Sequence, residues 1–103
     1  MRRAKVFVAG EPAGLLEEHE SSRFVFRYFD GYAGPAVSLT MPVSARAIWF
    51  DAFPPFFEGL LPEGDMLDGL LRQRKIDRND FFGQLLAVGE DVVGAVTIRE
   101  QPP

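Results

Sequence analysis

Phe53-Pro54-Pro55-Phe56-Phe57-Glu58-Gly59-Leu60-Leu61 is the stretch at which the chain changes its hydrophobic period. Phe53, Phe56, Phe57, Leu60 and Leu61 recur at i, i+3, i+4, i+7 and i+8, one apolar stripe of a helix. Asp51 stands where it can cap the start. Pro54 and Pro55 fit only in a first turn, where amide hydrogens have no intrahelical acceptor. Pro62 and Gly64 stop the helix.

Upstream of this point the pattern alternates instead. Val6 and Val8 interleave with Lys5 and Phe7, Gly10-Glu11-Pro12 punctuates, and Gly14-Leu15-Leu16 resumes an apolar run, which predicts a hairpin. Phe24, Phe26 and Tyr28 take one parity and Arg23 and Arg27 the other, as in a strand with one wet face. Val37, Leu39 and Met41 alternate with Ser38 and Thr40 before Pro42, which predicts a further strand. Three or four short antiparallel strands are expected.

Downstream, a second helix is expected from Asp65 to about Lys75, with Met66, Leu67, Leu70 and Leu71 inward. Glu63, Asp65 and Asp68 lie toward its amino end and Arg72, Arg74 and Lys75 toward its carboxyl end, matching the helix dipole. Asn79 or Asp77 can cap a third helix that turns Phe81, Phe82, Leu85 and Leu86 to the core, with Gly89 as a left-handed terminator. Val92, Val93, Ala95, Val96 and Ile98 read as a last strand, with a bulge or close backbone contact at Gly94. The fold class is α+β: a small antiparallel sheet followed by three short helices and a returning C-terminal strand. Residues 1–99 form the domain and 100–103 a loose tail.

With 103 residues, 47% of them hydrophobic, the chain has enough apolar surface for one core. It contains no cysteine, which removes disulfides, thiolate zinc sites and thiol nucleophiles together. The net charge of -4 opposes broad attraction to nucleic acid. The apolar run after Arg2, Arg3 and Lys5 ends at Gly10, too soon for a signal peptide or a membrane span, so a cytoplasmic location is expected.

Catalytic groups are scarce. His19 is the single histidine, and an acyl-transfer relay would have to join it to Ser21, Ser22, Ser38 or Ser44. It stands in the acidic run Glu17-Glu18-His19-Glu20, which suits an exposed edge or loop. One imidazole beside carboxylates lacks the ligand set of a structural zinc site. No glycine cluster forms a phosphate-cradling loop. No catalytic residue, metal or cofactor is therefore expected. Trp49, between Ile48 and Phe50, reads either as a staple for the helix start or as an exposed anchor for a partner.

Val8-Ala9-Gly10 with Gly14-Leu15, then Phe24-Val25-Phe26-Arg27-Tyr28, then Val37-Ser38-Leu39-Thr40-Met41-Pro42 resemble the N-terminal subdomain of the HipA family of serine/threonine kinase toxins. Two longer segments sharpen the resemblance: Phe56-Phe57-Glu58-Gly59-Leu60-Leu61-Pro62-Glu63-Gly64 and Val88-Gly89-Glu90-Asp91-Val92-Val93-Gly94-Ala95-Val96. In full-length members the subdomain precedes a larger kinase domain, and a DNA-binding antitoxin holds the toxin. The resemblance implies a separately encoded, HipS-like small subunit of a HipBST-type system, which binds and inhibits a HipT-like kinase. The alternative is a scaffold joining that kinase to a HipB-like helix-turn-helix repressor. No direct nucleic-acid or membrane contact is implied. A surface internal to the longer proteins would be bare here, and apolar area of that kind is commonly covered by a partner. Partner contact is expected at Pro62, Glu63, Gly64, Asp65 and Met66, with Trp49 as a further candidate. Many relatives carry a bulky aromatic directly after Pro-Glu-Gly; here the position is Asp65, which the reading leaves as a helix cap.

Overall fold

The alternating segments fold into one antiparallel sheet. In the computed structural model, which describes residues 1–92 and 94–102, β1 (Arg3–Val8), β2 (Glu11–His19), β3 (Arg23–Tyr28), β4 (Ala47–Phe50) and β5 (Val96–Gln101) lie in the order β4-β3-β2-β1-β5. The three helices are α1 (Pro55–Glu58), α2 (Gly64–Arg74) and α3 (Phe81–Val88). An α+β architecture with a returning last strand is the observed one. Val93 and Pro103, expected in the last strand and the tail, lie outside the described residues.

Parity assigns the two faces of the sheet. Ala4, Val6, Leu16, Phe24, Phe26 and Ile98 point to the helices and are buried. Phe57, Phe82 and Leu85 close the core from the helical side. Pro12, expected in the turn, belongs to β2; the turn is Ala9-Gly10, both at positive φ. The register slips between Val6 and Phe7, so Ala13 is left over as a buried bulge.

Several expectations are corrected. Val37, Leu39 and Met41 form no strand: Ser38 and Met41 close an isolated bridge, and Leu39 is fully exposed at its tip. The Tyr28 hydroxyl accepts from Val37 N at 2.9 Å and donates to the Met41 carbonyl, so a side chain takes backbone groups that a neighbouring strand would have used. The fourth strand is Ala47–Phe50 instead. Helix α1 is one turn, capped at Pro54 and not at Asp51, whose exposed carboxylate lies 3.4 Å from Arg23.

Helix α3 is capped by Asp80, whose carboxylate accepts from Gly83 N at 3.0 Å; Asp77 instead makes a tight turn by accepting from Asn79 N. Gly89 is right-handed, and the left-handed terminator belongs to α2, at Lys75. Gly89 is glycine because an added Cβ would collide with Ile98 of β5. The last strand begins only at Val96, after Gly94 at φ +118. It runs on to Gln101, so Glu100 and Gln101 carry ladder pairs with Ala4 and Arg3 rather than trailing loosely.

Candidate partner-binding surfaces

The one-turn helix leads straight into the loop singled out above. Leu60 N and Leu61 N bond back to the Phe57 and Glu58 carbonyls at 3.1 Å each, a tight turn that delivers the chain to Pro62. Gly64 then adopts φ +60, a conformation without steric cost only for glycine, and redirects the backbone into α2. Glu63 occupies the cap position without a side-chain capping bond, and Asp65 lies in the first turn, where its charge complements the dipole.

Helix α2 contains no buried residue. Leu67, Leu70 and Leu71 are half-buried and Met66, expected inward, is 77% exposed. The helix packs against α3 along part of its apolar stripe, and the rest opens a groove of about 510 Å³. Leu60, Pro62, Met66, Leu70, Val88 and Val92 give it apolar walls; Asp65 and Asp91 add carboxylates. Of the expected contact residues, the fold thus gathers Pro62, Asp65 and Met66 into one groove and leaves Glu63 and Gly64 exposed beside it. Leu60, Leu70, Val88 and Val92 also line the groove, and of these only Leu60, at the helix end, falls within the contact expected around the loop and the adjoining helix ends.

Trp49 is elsewhere. It sits in β4 opposite Val25, on the sheet face turned away from the helices, and is 46% exposed. It is no staple for α1. The Arg23 and Arg27 guanidinium carbons lie 4.9 Å and 5.9 Å from its ring centroid, and the His19 ring stands 5.0 Å away. Beneath this layer Val25 is fully buried.

His19 Nε2 and Glu17 Oε1 are 3.2 Å apart, and Arg27 Nε reaches the same oxygen at 3.3 Å. The imidazole is thus tied to a carboxylate and an indole, while the Ser38 hydroxyl bonds Thr40. Ser21 and Ser22 lie in the adjoining 3-10 turn at positive φ. Among the described residues no group of three or more His, Asp and Glu side chains converges as a metal site. No helix among them is long and apolar enough to cross a membrane.

The same frame of strands and helices is found in known proteins. The HipA N-terminal domain family matches residues 4–99, from β1 into β5. The chain belongs to this family. Membership makes it a toxin–antitoxin component, and the matched part is the small N-terminal domain of HipA, not a kinase domain. A solved N-terminal domain of HipA toxin has a TM-score of 0.79 at 33% identity, covering 99% of this chain and 94% of that one. An uncharacterized protein of Haemophilus influenzae is 38% identical over 98% of this chain and 94% of its own length. The putative kinase Y4dM of Sinorhizobium fredii is 31% identical over 87% of this chain, and the matched stretch covers 24% of that protein. The Shewanella oneidensis HipA in complex with HipB and operator DNA shares the fold at TM-score 0.75 and 21% identity, across 24% of that chain.

Proposed function

We propose that the chain is a non-catalytic cytoplasmic regulator that docks onto a HipT-like serine/threonine kinase through the α1–α2 groove and restrains it. The observation that carries this reading is the open stripe of α2: Met66 is 77% exposed and Leu67, Leu70 and Leu71 are only partly covered among the described residues. Y4dM supports it, because a domain like this one forms a small part of a longer putative kinase there. In the Haemophilus relative the domain makes up nearly the whole protein. A separately encoded copy that returns to the kinase would cover the stripe again, and the loop Pro62 to Met66 would then stand against kinase elements that must close over nucleotide.

The test is co-expression with a HipT-like kinase that lacks this domain, scoring growth and co-purification, followed by autophosphorylation of the kinase with and without the chain. Docking and restraint predict co-purification, rescued growth and reduced autophosphorylation, all lost in Met66→Glu and Leu70→Glu. Failure to co-purify would remove the reading. Co-purification with undiminished autophosphorylation would favour a scaffold that joins the kinase to a HipB-like repressor, a reading suggested by the Shewanella assembly of HipA, HipB and DNA.

A further inference from the structure

We propose that the outer face of the sheet is a second docking surface, fitted to an acidic segment of a protein partner. Strand register places Arg99, Arg3, Lys5, Arg23 and Arg27 on this one face. Glu17 is the one carboxylate at its strand positions among the described residues, and it is mostly buried beneath Arg27 and His19; from outside the strands Glu90 pairs with Arg99 at 2.6 Å and Asp51 with Arg23 at 3.4 Å, which leaves an excess of positive charge on the face. The whole chain carries 15 acidic against 11 basic side chains, so a face that gathers five of the basic ones runs against the net charge. Such segregation steers a negatively charged partner to one side of the molecule.

The cations are also held in place. Arg23 and Arg27 lie over Trp49; Lys5 lies 5.8 Å and 5.9 Å from the Phe7 and Phe29 ring centroids; Arg99 lies 5.9 Å from Phe7. Aromatic support holds the two guanidinium groups, whose Nε atoms face Asp51 and Glu17, while about half of the Arg23 and Arg27 side-chain surface stays exposed. Planar donors of this kind match carboxylates in two-point contacts.

The same contacts argue against a nucleic-acid strand. Bases bind such sheets by stacking on open aromatic faces, and a base stacking on Trp49 would first have to displace a guanidinium. Because this face lies across the sheet from α2, the acidic segment and the kinase can be held together.

Trp49 is the single tryptophan and therefore a built-in probe. The full chain is titrated with a short oligo-glutamate peptide and, separately, with an oligothymidylate of equal length, at low salt and at about 0.15 M salt. The peptide is expected to shift Trp49 emission, more weakly at the higher salt. Arg23→Glu with Arg27→Glu is expected to weaken binding about tenfold or more. Arg23→Lys with Arg27→Lys retains binding, and Arg72→Glu with Arg74→Glu on α2 leaves it unchanged; circular dichroism checks that each variant is folded. Absence of any shift, equal loss in the α2 variant, or tighter binding of the oligothymidylate would overturn the proposal. No kinase enters the titration, so its outcome is independent of the groove reading.

Discussion

Arg2 and Asp80 meet in a two-point ion pair, Nη2 donating to Oδ1 at 2.8 Å and Nη1 to Oδ2 at 3.1 Å. The same guanidinium grips both Glu18 oxygens at 2.8 Å, while Asp80 caps α3. One cation thus ties the residue ahead of β1 to the end of β2 and the start of a helix. Its hydrogen bonds hold Glu18 and Asp80 below the usual carboxylate range, and they raise Arg2 in turn.

A carboxylate whose folded pKa is depressed contributes stability that is complete above its unfolded pKa and is lost as pH falls through the folded value. The melting temperature is therefore expected to start falling as pH drops below the ordinary carboxylate range of about 4, and to go on falling through the depressed values of Glu18 and Asp80. All three side chains keep solvent contact, so the effect is screened and modest. Arg2→Gln should flatten the decline, measured by calorimetry across that range. An unchanged slope would assign the acid sensitivity to other carboxylates.

Tyr28→Phe should destabilise the chain by about 1–3 kcal/mol, because it leaves the Met41 carbonyl and the Val37 amide without their partner in a buried setting. The loss should be local to the Phe29 to Ala45 excursion. Hydrogen exchange would show it as faster exchange at Val37 N, with the central strands less affected.

Backbone contact sets the third expectation. A Cβ on Gly14 would strike the Arg27 carbonyl and approach the Phe26 ring to 2.8 Å; one on Gly89 would strike Ile98. Gly14→Ala and Gly89→Ala should each cost about 1–3 kcal/mol by overpacking, although both residues have φ values open to alanine. Gly69→Ala, with open space around it, should be neutral or slightly stabilising in mid-helix. Denaturation midpoints rank the three.

Met66→Glu should change folding stability by no more than about 0.5 kcal/mol, as its side chain stands in solvent. Phe57→Ala, by contrast, should cost about 3–5 kcal/mol, since Phe57 is fully buried against Phe26 and Phe56. Kinase capture lost in the first variant, with its unfolding curve intact, would separate binding from folding.

Period and parity made most of this fold legible. Phe24, Phe26 and Tyr28 share one face as their spacing requires, and α2 and α3 lie where the apolar stripes place them. The misreadings have particular causes. Val37 and Met41 are buried with Leu39 exposed between them, so an alternation that mimics a strand is a turn pinned by one distant tyrosine. Ala47-Ile48-Trp49-Phe50 is apolar at every position and shows no period, although β4 sends Ile48 and Phe50 inward and Trp49 outward. Nothing local reveals that.

The groove was half legible. The loop from Pro62 to Met66 stands out through its proline and glycine, but the spacing of Met66 and Leu70 also points inward, and a helical stripe does not say how much of it a neighbour will cover. The basic face was hidden more completely. Arg3, Lys5, Arg23, Arg27 and Arg99 are scattered along the sequence, and only the order β4-β3-β2-β1-β5 brings them together.

Arg3 of β1 is paired with Gln101 of β5. The start of the first strand and the finish of the last therefore leave the sheet at one corner, and a short glycine-serine bridge could join them. New ends opened at the exposed tip beside Leu39 would then yield a circular permutant with the same core. In that permutant β1 and β5 would become a local hairpin, and the ladder that now closes across almost the whole chain would form early in folding.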